Sequence, residues 1–305
     1  MKKGSVFIII AGVLWGTMGL FVRTFTQRLG FTSGQTSAIR ITAAALMFAA
    51  FLAAKDKKLF KIRLKDAWVF VCLGFFGIFC MANCYFKSMS SGTSMSVSAI
   101  LLYTAPIIVM LTSCLFFGER FTKKKLAALL SAFVGCVFVS LGADAKVTVT
   151  GFVFGLLSGA AYASYSIFGK IALERGYSPY TVSAYAFISA AVFSVLFGKP
   201  TEIVKIFVTL PQSTVYVAAL VVLCALVTAF LPFLFYTKGL ESTKAGKAAV
   251  MASVEPLAAT VCGIFAGEPI TASALCGIIC IIFAITVLNT SKGGAEKRQT
   301  KSEGT

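Results

Sequence analysis

Histidine is absent from this chain, and acidic residues are few, with 11 Asp and Glu against 28 Lys and Arg. The side chain that most often relays protons or binds metals near neutral pH is therefore missing. Nine cysteines are present, but the spaced pairs Cys80/Cys84 and Cys276/Cys280 have no acid nearby, so they indicate packing residues. Without paired acids or a Walker-type nucleotide motif, we expect no enzyme activity, no metal site and no cofactor.

Charged residues make up only 13% of the 305 residues, hydrophobic residues make up 58%, and the mean hydropathy is +0.90. This composition lies outside soluble globular usage and indicates an integral membrane protein. The apolar residues form blocks of the length that a helix needs to cross a bilayer. We predict an all-α membrane fold with ten transmembrane helices at residues 4–24, 33–54, 67–87, 94–117, 125–142, 150–171, 179–198, 214–237, 245–266 and 270–289.

The basic residues predict the orientation of these spans. In the ten-span arrangement 21 Lys and Arg lie on the side of the N-terminus, six lie on the other side, and Arg40 lies inside span 2. Basic loops stay in the cytoplasm, so we expect a multi-pass plasma-membrane protein with both termini cytoplasmic. Contact with anionic lipids is a further expectation, whereas basic residues spread over loops disfavour nucleic-acid binding. Residues 291–305 are predicted to be a disordered basic tail.

The two halves of the sequence repeat each other. Residues 87–119 align with residues 238–268 through Lys87 and Lys238, Pro106 and Pro256, and Gly118-Glu119 and Gly267-Glu268. "GVLWG" (12–16) aligns in the same way with "GLLSG" (155–159). We assign residues 1–143 and 144–290 to two repeats of five spans. Because five is odd, the second repeat is inverted in the membrane, an arrangement that recurs in transporters.

These motifs resemble a known family. The ten-span pattern, "GVLWG" in span 1, Arg40 early in span 2, and the "AP…GE" and "EP…GE" pairs in spans 4 and 9 resemble the drug/metabolite transporter superfamily, and within it the EamA-like permeases. The resemblance covers residues 4–290. It implies two inverted five-helix halves around a central cavity lined mainly by spans 1, 3, 4, 6, 8 and 9. It implies no single substrate, because such proteins move amino acids, nucleotide precursors, sugars and their phosphates, quaternary amines and drugs.

Glu255 is an isolated acid near the centre of span 9, followed by Pro256 in "VMASVEPLAATV". A charge there costs about 2.5–3.5 kcal/mol on insertion scales, so such residues usually face the bundle interior or a wet cavity. Pro256 and Pro106 each remove a helical hydrogen bond and predict a structural kink. Ala105 replaces Glu255 in the first repeat. This difference favours substrate binding or proton coupling by Glu255, and a purely structural role is the alternative.

Other residues complete the predicted substrate site. Arg40 is either an ion-pair partner or a ligand for a substrate carboxylate, and an interfacial anchor or helix-packing clamp is the alternative. An aromatic cavity with one acid suits a zwitterion or an organic cation, although a single aromatic residue more often serves packing. The candidates in the spans that the family resemblance assigns to the cavity are Trp15, Asn83, Tyr103, Tyr162 and Tyr165.

The sequence thus predicts a secondary active transporter of small metabolites such as amino acids or related zwitterionic or cationic compounds. Transport would proceed by alternating access around a site at the membrane centre, with export as the favoured direction. A channel or a scramblase-like membrane protein without coupled transport is the alternative. In either case the expected partners are a small-molecule substrate and the lipid bilayer.

Overall fold

The computed structural model describes residues 3–119, 121–140, 146–197, 200–209, 214–265 and 271–290. All ten predicted spans are helical, and we number them in chain order. Span 1 consists of Lys3–Gly16 and Met18–Gln27, and span 2 is Ser33–Lys55. Span 3 consists of Ala67–Gly74, Phe75–Cys80 and Met81–Ser90. Span 4 consists of Met95–Leu102 and Ala105–Phe116, and span 5 is Lys123–Ser140. Span 6 is Val149–Glu174, and span 7 is Pro179–Phe197. Span 8 consists of Thr214–Ala225, Leu226–Phe230 and Leu231–Ser242. Span 9 consists of Ala245–Ala252 and Val254–Phe265, and span 10 is Ala272–Thr290.

The predicted all-α membrane fold is confirmed. Within the described ranges, eight helical segments are long and apolar enough to cross a membrane. Spans 5 and 10 complete the ten: span 5 begins with three lysines, and span 10 contains a shorter apolar helix, Ala272–Leu288. The predicted tail at residues 291–305 and the Gly267-Glu268 motif lie outside the described residues.

Several spans are interrupted halfway along their length. Span 1 breaks at Thr17, whose hydroxyl donates to the carbonyl of Leu14 at 2.7 Å. Spans 4 and 9 break just before Pro106 and Pro256, each in the first turn of the helix that follows. The lack of an N–H group on proline costs little there, because first-turn donors have no helical partner. Spans 3 and 8 instead contain a π-helical turn at corresponding places, Phe75–Cys80 and Leu226–Phe230.

Corresponding spans of the two repeats pack against each other. Span 5 crosses span 10 at two glycines, Gly135 and Gly277. A Cβ atom added to Gly135 would lie 2.8 Å from the carbonyl oxygen of Gly277, and one added to Gly277 would lie 2.6 Å from the carbonyl oxygen of Gly135. Span 2 packs on span 7, with the rings of Phe48 and Phe187 5.4 Å apart. Such reciprocal contacts are what a pseudo-two-fold axis between two repeats produces.

The aligned "GVLWG" and "GLLSG" motifs make equivalent contacts. Gly16 of span 1 faces the second helix of span 9. A Cβ atom added to Gly16 would lie 2.8 Å from the backbone nitrogen of Ala259. Gly159 of span 6 faces the break in span 4. A Cβ atom added to Gly159 would lie 2.7 Å from the carbonyl oxygen of Leu101. In both repeats, the small residue lets one span approach an interrupted neighbour closely.

The helix Pro200–Thr209, in the connection between spans 7 and 8, was not predicted from the sequence. Ile203 and Ile206 on this helix pack against a small apolar cluster of Phe25, Leu29, Phe31, Val217 and Cys224. Val204 and Val208 are exposed. The helix therefore covers one end of the bundle with a single apolar face.

We expect Gly135→Leu to lower the free energy of unfolding by about 1–3 kcal/mol, because the added side chain must push spans 5 and 10 apart. Leucine has a higher helix propensity than glycine, so the loss would come from packing. A thermal-unfolding measurement in detergent checks this result. The control is Gly34→Ala, where a Cβ meets nothing within 4 Å. Equal melting temperatures for Gly135→Leu and the control would show that this crossing does not hold the repeats together.

Candidate functional site

A cavity of about 240 Å³ lies between the two repeats. It extends from the centre of the bundle toward the end where spans 1 and 3 finish and spans 2 and 4 begin. The first repeat contributes residues of spans 1 to 4, and the second contributes Tyr162, Phe233, Glu255 and Ala259. Gly19 and Met95 at its rim are exposed.

Glu255 lies at the centre of span 9 in the first turn of the helix Val254–Phe265. The preceding helix ends at Ala252, so the break in span 9 places a helix N-terminus next to the cavity. Free N–H groups and the helix dipole favour a negative charge at this position. Glu255 is half-buried and lines the cavity. The broken helix thus supports an acid in the middle of the bundle.

Arg40 connects the first repeat to the second. A capping box between Thr32 and Gln35 begins span 2, and the Arg40 side chain that follows is buried at 5% exposure. Its Nη1 donates to the carbonyl oxygen of Thr228 at 3.2 Å and lies 3.0 Å from the sulfur of Met18. Thr228 belongs to the π-helical turn of span 8. Arg40 and Glu255 both line the cavity and attract each other electrostatically.

Aromatic rings form the floor of the cavity. Trp15, at the centre of span 1, meets Phe233 edge to face at 5.0 Å and Tyr162 at 6.2 Å between ring centroids. Two further tyrosines lie beneath this layer. The hydroxyl of Tyr165 is 2.9 Å from Thr237 Oγ1, and the hydroxyl of Tyr236 is 2.7 Å from Ser166 Oγ. The satisfied polar contacts and the packed rings close the cavity below Trp15.

The structure brings five of the seven predicted site residues together around the cavity: Trp15, Arg40, Tyr103, Tyr162 and Glu255. It does not bring the other two there. Asn83 is exposed, and its amide donates to the carbonyl of Phe79 at 2.8 Å. Tyr165 is fully buried and contacts the ring of Phe233 at 4.9 Å between ring centroids, and it lies outside the described set of cavity-lining residues.

Sequence reasoning missed other cavity residues. Four methionines, half of the eight in the chain, line the cavity, and so do Ser37, Tyr85 and Phe86; the methionines are Met18, Met81, Met89 and Met95. A methionine in an apolar span carries no signal that separates lipid contact from cavity lining. Ser37 had a signal, because it precedes Arg40 by three residues and therefore shares its helix face.

The opposite end of the molecule is closed by a charged latch, which we define as Arg63, Asp66, Arg175 and Tyr177. Asp66 of the first repeat accepts hydrogen bonds from Arg63 Nε at 2.7 Å, from Tyr177 Oη at 2.7 Å and from Arg175 Nη1 at 2.5 Å. Its side chain is 4% exposed. Hydrogen bonds with Tyr177 and Asp66 raise the pKa of the Arg63 guanidinium, which keeps it charged.

Further contacts between the repeats surround the charged latch. Thr181 Oγ1 donates to the carbonyl of Leu59 at 2.9 Å, and the hydroxyl of Tyr185 donates to that of Phe60 at 2.7 Å. Lys55 lies 3.6 Å from the ring centroid of Tyr180, a favourable cation–π contact. These hydrogen bonds therefore bind the connection between spans 2 and 3 to the start of span 7.

Two packed repeats, interrupted helices and a central cavity closed at one end together define a membrane transporter. The chain belongs to the EamA-like transporter family, which matches residues 2–141 and 149–290. Both repeats are EamA repeats. This assignment agrees with the resemblance found in the sequence, and it identifies the molecule as a transporter rather than an enzyme.

Relatives match over nearly the full length of the chain. An uncharacterized transporter of Archaeoglobus fulgidus is 29% identical over 292 residues, which cover 94% of this chain and 96% of the relative. The uncharacterized transporter YwfM of Bacillus subtilis is 23% identical, with 94% of each chain covered. A protein of known crystal structure aligns with a TM-score of 0.74 at 18% identity, covering 94% of this chain and 97% of that one, which shows a shared fold.

We expect Asp66→Asn to lower the melting temperature in detergent, because a neutral amide loses the charge-assisted bonds to Arg63 and Arg175. The matched control is Asp56→Asn. Among the described residues, the Asp56 side chain accepts only from the backbone of Lys58 at the start of a short helix, and asparagine is an equally good residue at that position. A melting temperature for Asp66→Asn equal to that of the control would mean that the charged latch does not stabilise this conformation.

Proposed function

We propose that this transporter moves a small zwitterionic or cationic metabolite across the plasma membrane by alternating access. The observation that carries the proposal is the half-buried carboxylate of Glu255, which faces an aromatic cavity at the centre of the bundle. A buried acid in a membrane protein is expensive unless a cavity or a partner offsets its desolvation. A positively charged group of the solute is the natural complement.

The aromatic residues supply the rest of the recognition. Trp15, Tyr103 and Tyr162 line the same cavity as Glu255, and ring faces attract ammonium groups by about 0.5–2 kcal/mol depending on desolvation. Glu255 would pair with the ammonium group while the rings contact the carbon atoms next to it. Lipids and hydrophobic compounds without a charge would gain nothing from Glu255.

Alternating access follows from the way the repeats are joined. The cavity is open at one end, and the charged latch closes the other. Opening the closed end requires separation of Asp66 from Arg175 and Tyr177, and closing the open end requires spans 1 to 4 to approach each other at the rim. Breaks in spans 1, 4 and 9 at the level of the cavity are suitable hinges, since helix ends absorb backbone rotations.

The distribution of basic residues gives the proposed direction. The closed end carries the connections rich in Lys and Arg, including the residues of the charged latch, and the positive-inside rule places it in the cytoplasm together with both termini. The cavity of this conformation would then face the outside. We favour export, in which the solute enters from the cytoplasm after the latch opens and leaves through the open cavity.

Glu255 would also couple transport to protons. Among the described residues that line the cavity, Glu255 is the one acid. A carboxylate can bind a proton and a cationic solute in turn. In such an antiport scheme each return step carries a proton inward on Glu255. Exchange of solute for solute needs no proton. Without the acid it would persist at a higher solute concentration, because the solute would lose its pairing with Glu255.

A thermal-shift screen of the purified protein against amino acids, amines, nucleosides, sugars and toxic cations should identify the solute class. A ligand at about 100 times its dissociation constant stabilises a protein by about 2.7 kcal/mol. In proteoliposomes loaded with the stabilising solute, we expect saturable counterflow and accumulation driven by a pH gradient. Conduction that does not saturate would instead indicate a channel or scramblase and would overturn the transport mechanism.

We expect Glu255→Gln to abolish accumulation driven by the pH gradient while exchange of labelled for unlabelled solute continues. Glutamine keeps the shape of the side chain but cannot carry the proton. The control is Glu241→Gln, at an exposed position near the end of span 8, which should behave as the unsubstituted protein does. Unchanged pH-driven accumulation in Glu255→Gln would remove this residue from the coupling role.

A further inference from the structure

Two buried polar atoms on span 2 have no hydrogen-bond partner in the described part of the chain. They are Ser37 Oγ and Arg40 Nε. The two residues are 4% and 5% exposed, they are one helical turn apart on the same face, and both line the cavity. A buried donor without a partner is costly, and two such donors on residues that line one cavity point to a ligand.

The second repeat shows that the fold does not require these unpartnered atoms. "TSAIR" (36–40) aligns with "VSAYA" (182–186), so Ser183 corresponds to Ser37. Ser183 Oγ lies 3.1 Å from Thr237 Oγ1 and 3.4 Å from the carbonyl oxygen of Phe233. In the alignment of Lys87 with Lys238, the position of Thr237 is occupied by Phe86, whose side chain has no hydrogen-bonding atom.

Arg40 also differs from its counterpart in the second repeat. The aligned residue is Ala186, which is fully buried against span 3. At this level of span 7, Ala186 therefore contributes a methyl group, whereas at the same level of span 2 Arg40 contributes a guanidinium group. The Nη1 of Arg40 is held by Thr228 and Met18, whereas its Nε has no hydrogen-bond partner among the described residues, and the residue lines the cavity.

We propose that Ser37 and Arg40 form an anion subsite that binds a carboxylate group of the transported solute. The Ser37 hydroxyl and the Arg40 Nε–H group donate to the carboxylate oxygens, and the guanidinium charge strengthens both hydrogen bonds. This assignment deepens the proposed function and rests on it. It narrows the substrates to metabolites that carry a carboxylate, and it removes simple organic cations from the class.

A carboxylate fits the charges around the subsite better than a phosphate does. Among the described residues that line the cavity, Arg40 is the cation and Glu255 is the anion. A singly charged carboxylate balances the guanidinium, whereas a phosphate dianion would add a further negative charge close to Glu255. The four cavity methionines and Phe86 leave an apolar surface for the remainder of the solute.

The test uses Trp15 as a reporter, because the chain has two tryptophans and Trp15 lines the cavity. In a Trp68→Phe background of the full chain, Trp15 is the remaining tryptophan. The probes are 4-bromobenzoate and 4-bromobenzamide, which have nearly the same shape and differ in charge. Bromine quenches a nearby tryptophan, so we expect saturable quenching by the benzoate at least tenfold tighter than by the amide, with propionate competing better than propionamide.

Substitutions then locate the carboxylate. We expect Ser37→Ala to weaken 4-bromobenzoate binding about tenfold, the size expected for a lost hydrogen bond to a charged group, and to leave the amide unaffected. The matched control is Ser183→Ala, which should leave both probes unaffected. Arg40→Gln should abolish the difference between the benzoate and the amide. Ser37→Ala gives the decisive result if Arg40→Gln fails to fold.

The proposal is overturned if neither carboxylate binds better than its amide, or if Ser37→Ala and Ser183→Ala have the same benzoate affinity. These outcomes are separate from failure of the transport mechanism, because probe binding is measured without a membrane gradient. Loss of counterflow with an intact benzoate preference would overturn the proposed mechanism and leave the anion subsite in place. Saturable counterflow of a solute without a carboxylate, with no benzoate preference, would overturn the subsite alone.

Discussion

Hydrocarbon offers no hydrogen-bond partner to a backbone or side-chain polar group, and a group buried at the end of the bundle loses its water partners as well. The placement of the buried polar groups in this structure follows from that loss. Arg40 is held by a carbonyl of the neighbouring repeat, and Asp66 is surrounded by three donors at the end of the bundle. Each arrangement needs residues from both repeats. The polar groups therefore hold the two halves together while the surrounding helices present apolar surface to lipid.

Helix interruptions serve the same requirement. A π-helical turn and a helix break each expose carbonyl or N–H groups that an unbroken helix would use internally. In this structure the exposed groups lie beside the two charged residues of the cavity. Thr228 in the π-helical turn of span 8 accepts from Arg40, and the break in span 9 sets a helix N-terminus at Glu255. Irregular backbone and buried charge thus occur together, as they do in other transporters.

The sequence was sufficient for the spans, the repeats and the family, because each of these depends on composition and order along the chain. It was less informative about the cavity, which depends on the direction in which a side chain leaves its helix. Asn83 and Tyr165 lie at suitable depths in spans 3 and 6 but are not among the described residues that line the cavity. A nearly uniform apolar helix has no polar face from which that direction can be inferred. The four methionines were missed for the same reason. Ser37 was missed although it shares a helix face with Arg40, and Pro200–Thr209 was missed because its apolar face is short.

The π-helical turn of span 8 also fixes the rotational register of the cavity floor. A π-helical turn accommodates one more residue than an α-helical turn, and one residue corresponds to a rotation of about 100° around the helix axis. Phe233 and Tyr236 lie in the helix that follows this turn, and their rings contact Trp15. Loss of a single residue anywhere in Leu226–Phe230 would leave the span long enough for the bilayer but would turn both rings away from the cavity. The aromatic floor is therefore sensitive to helix length at a turn, Leu226–Phe230, that lies outside the set of described residues lining the cavity.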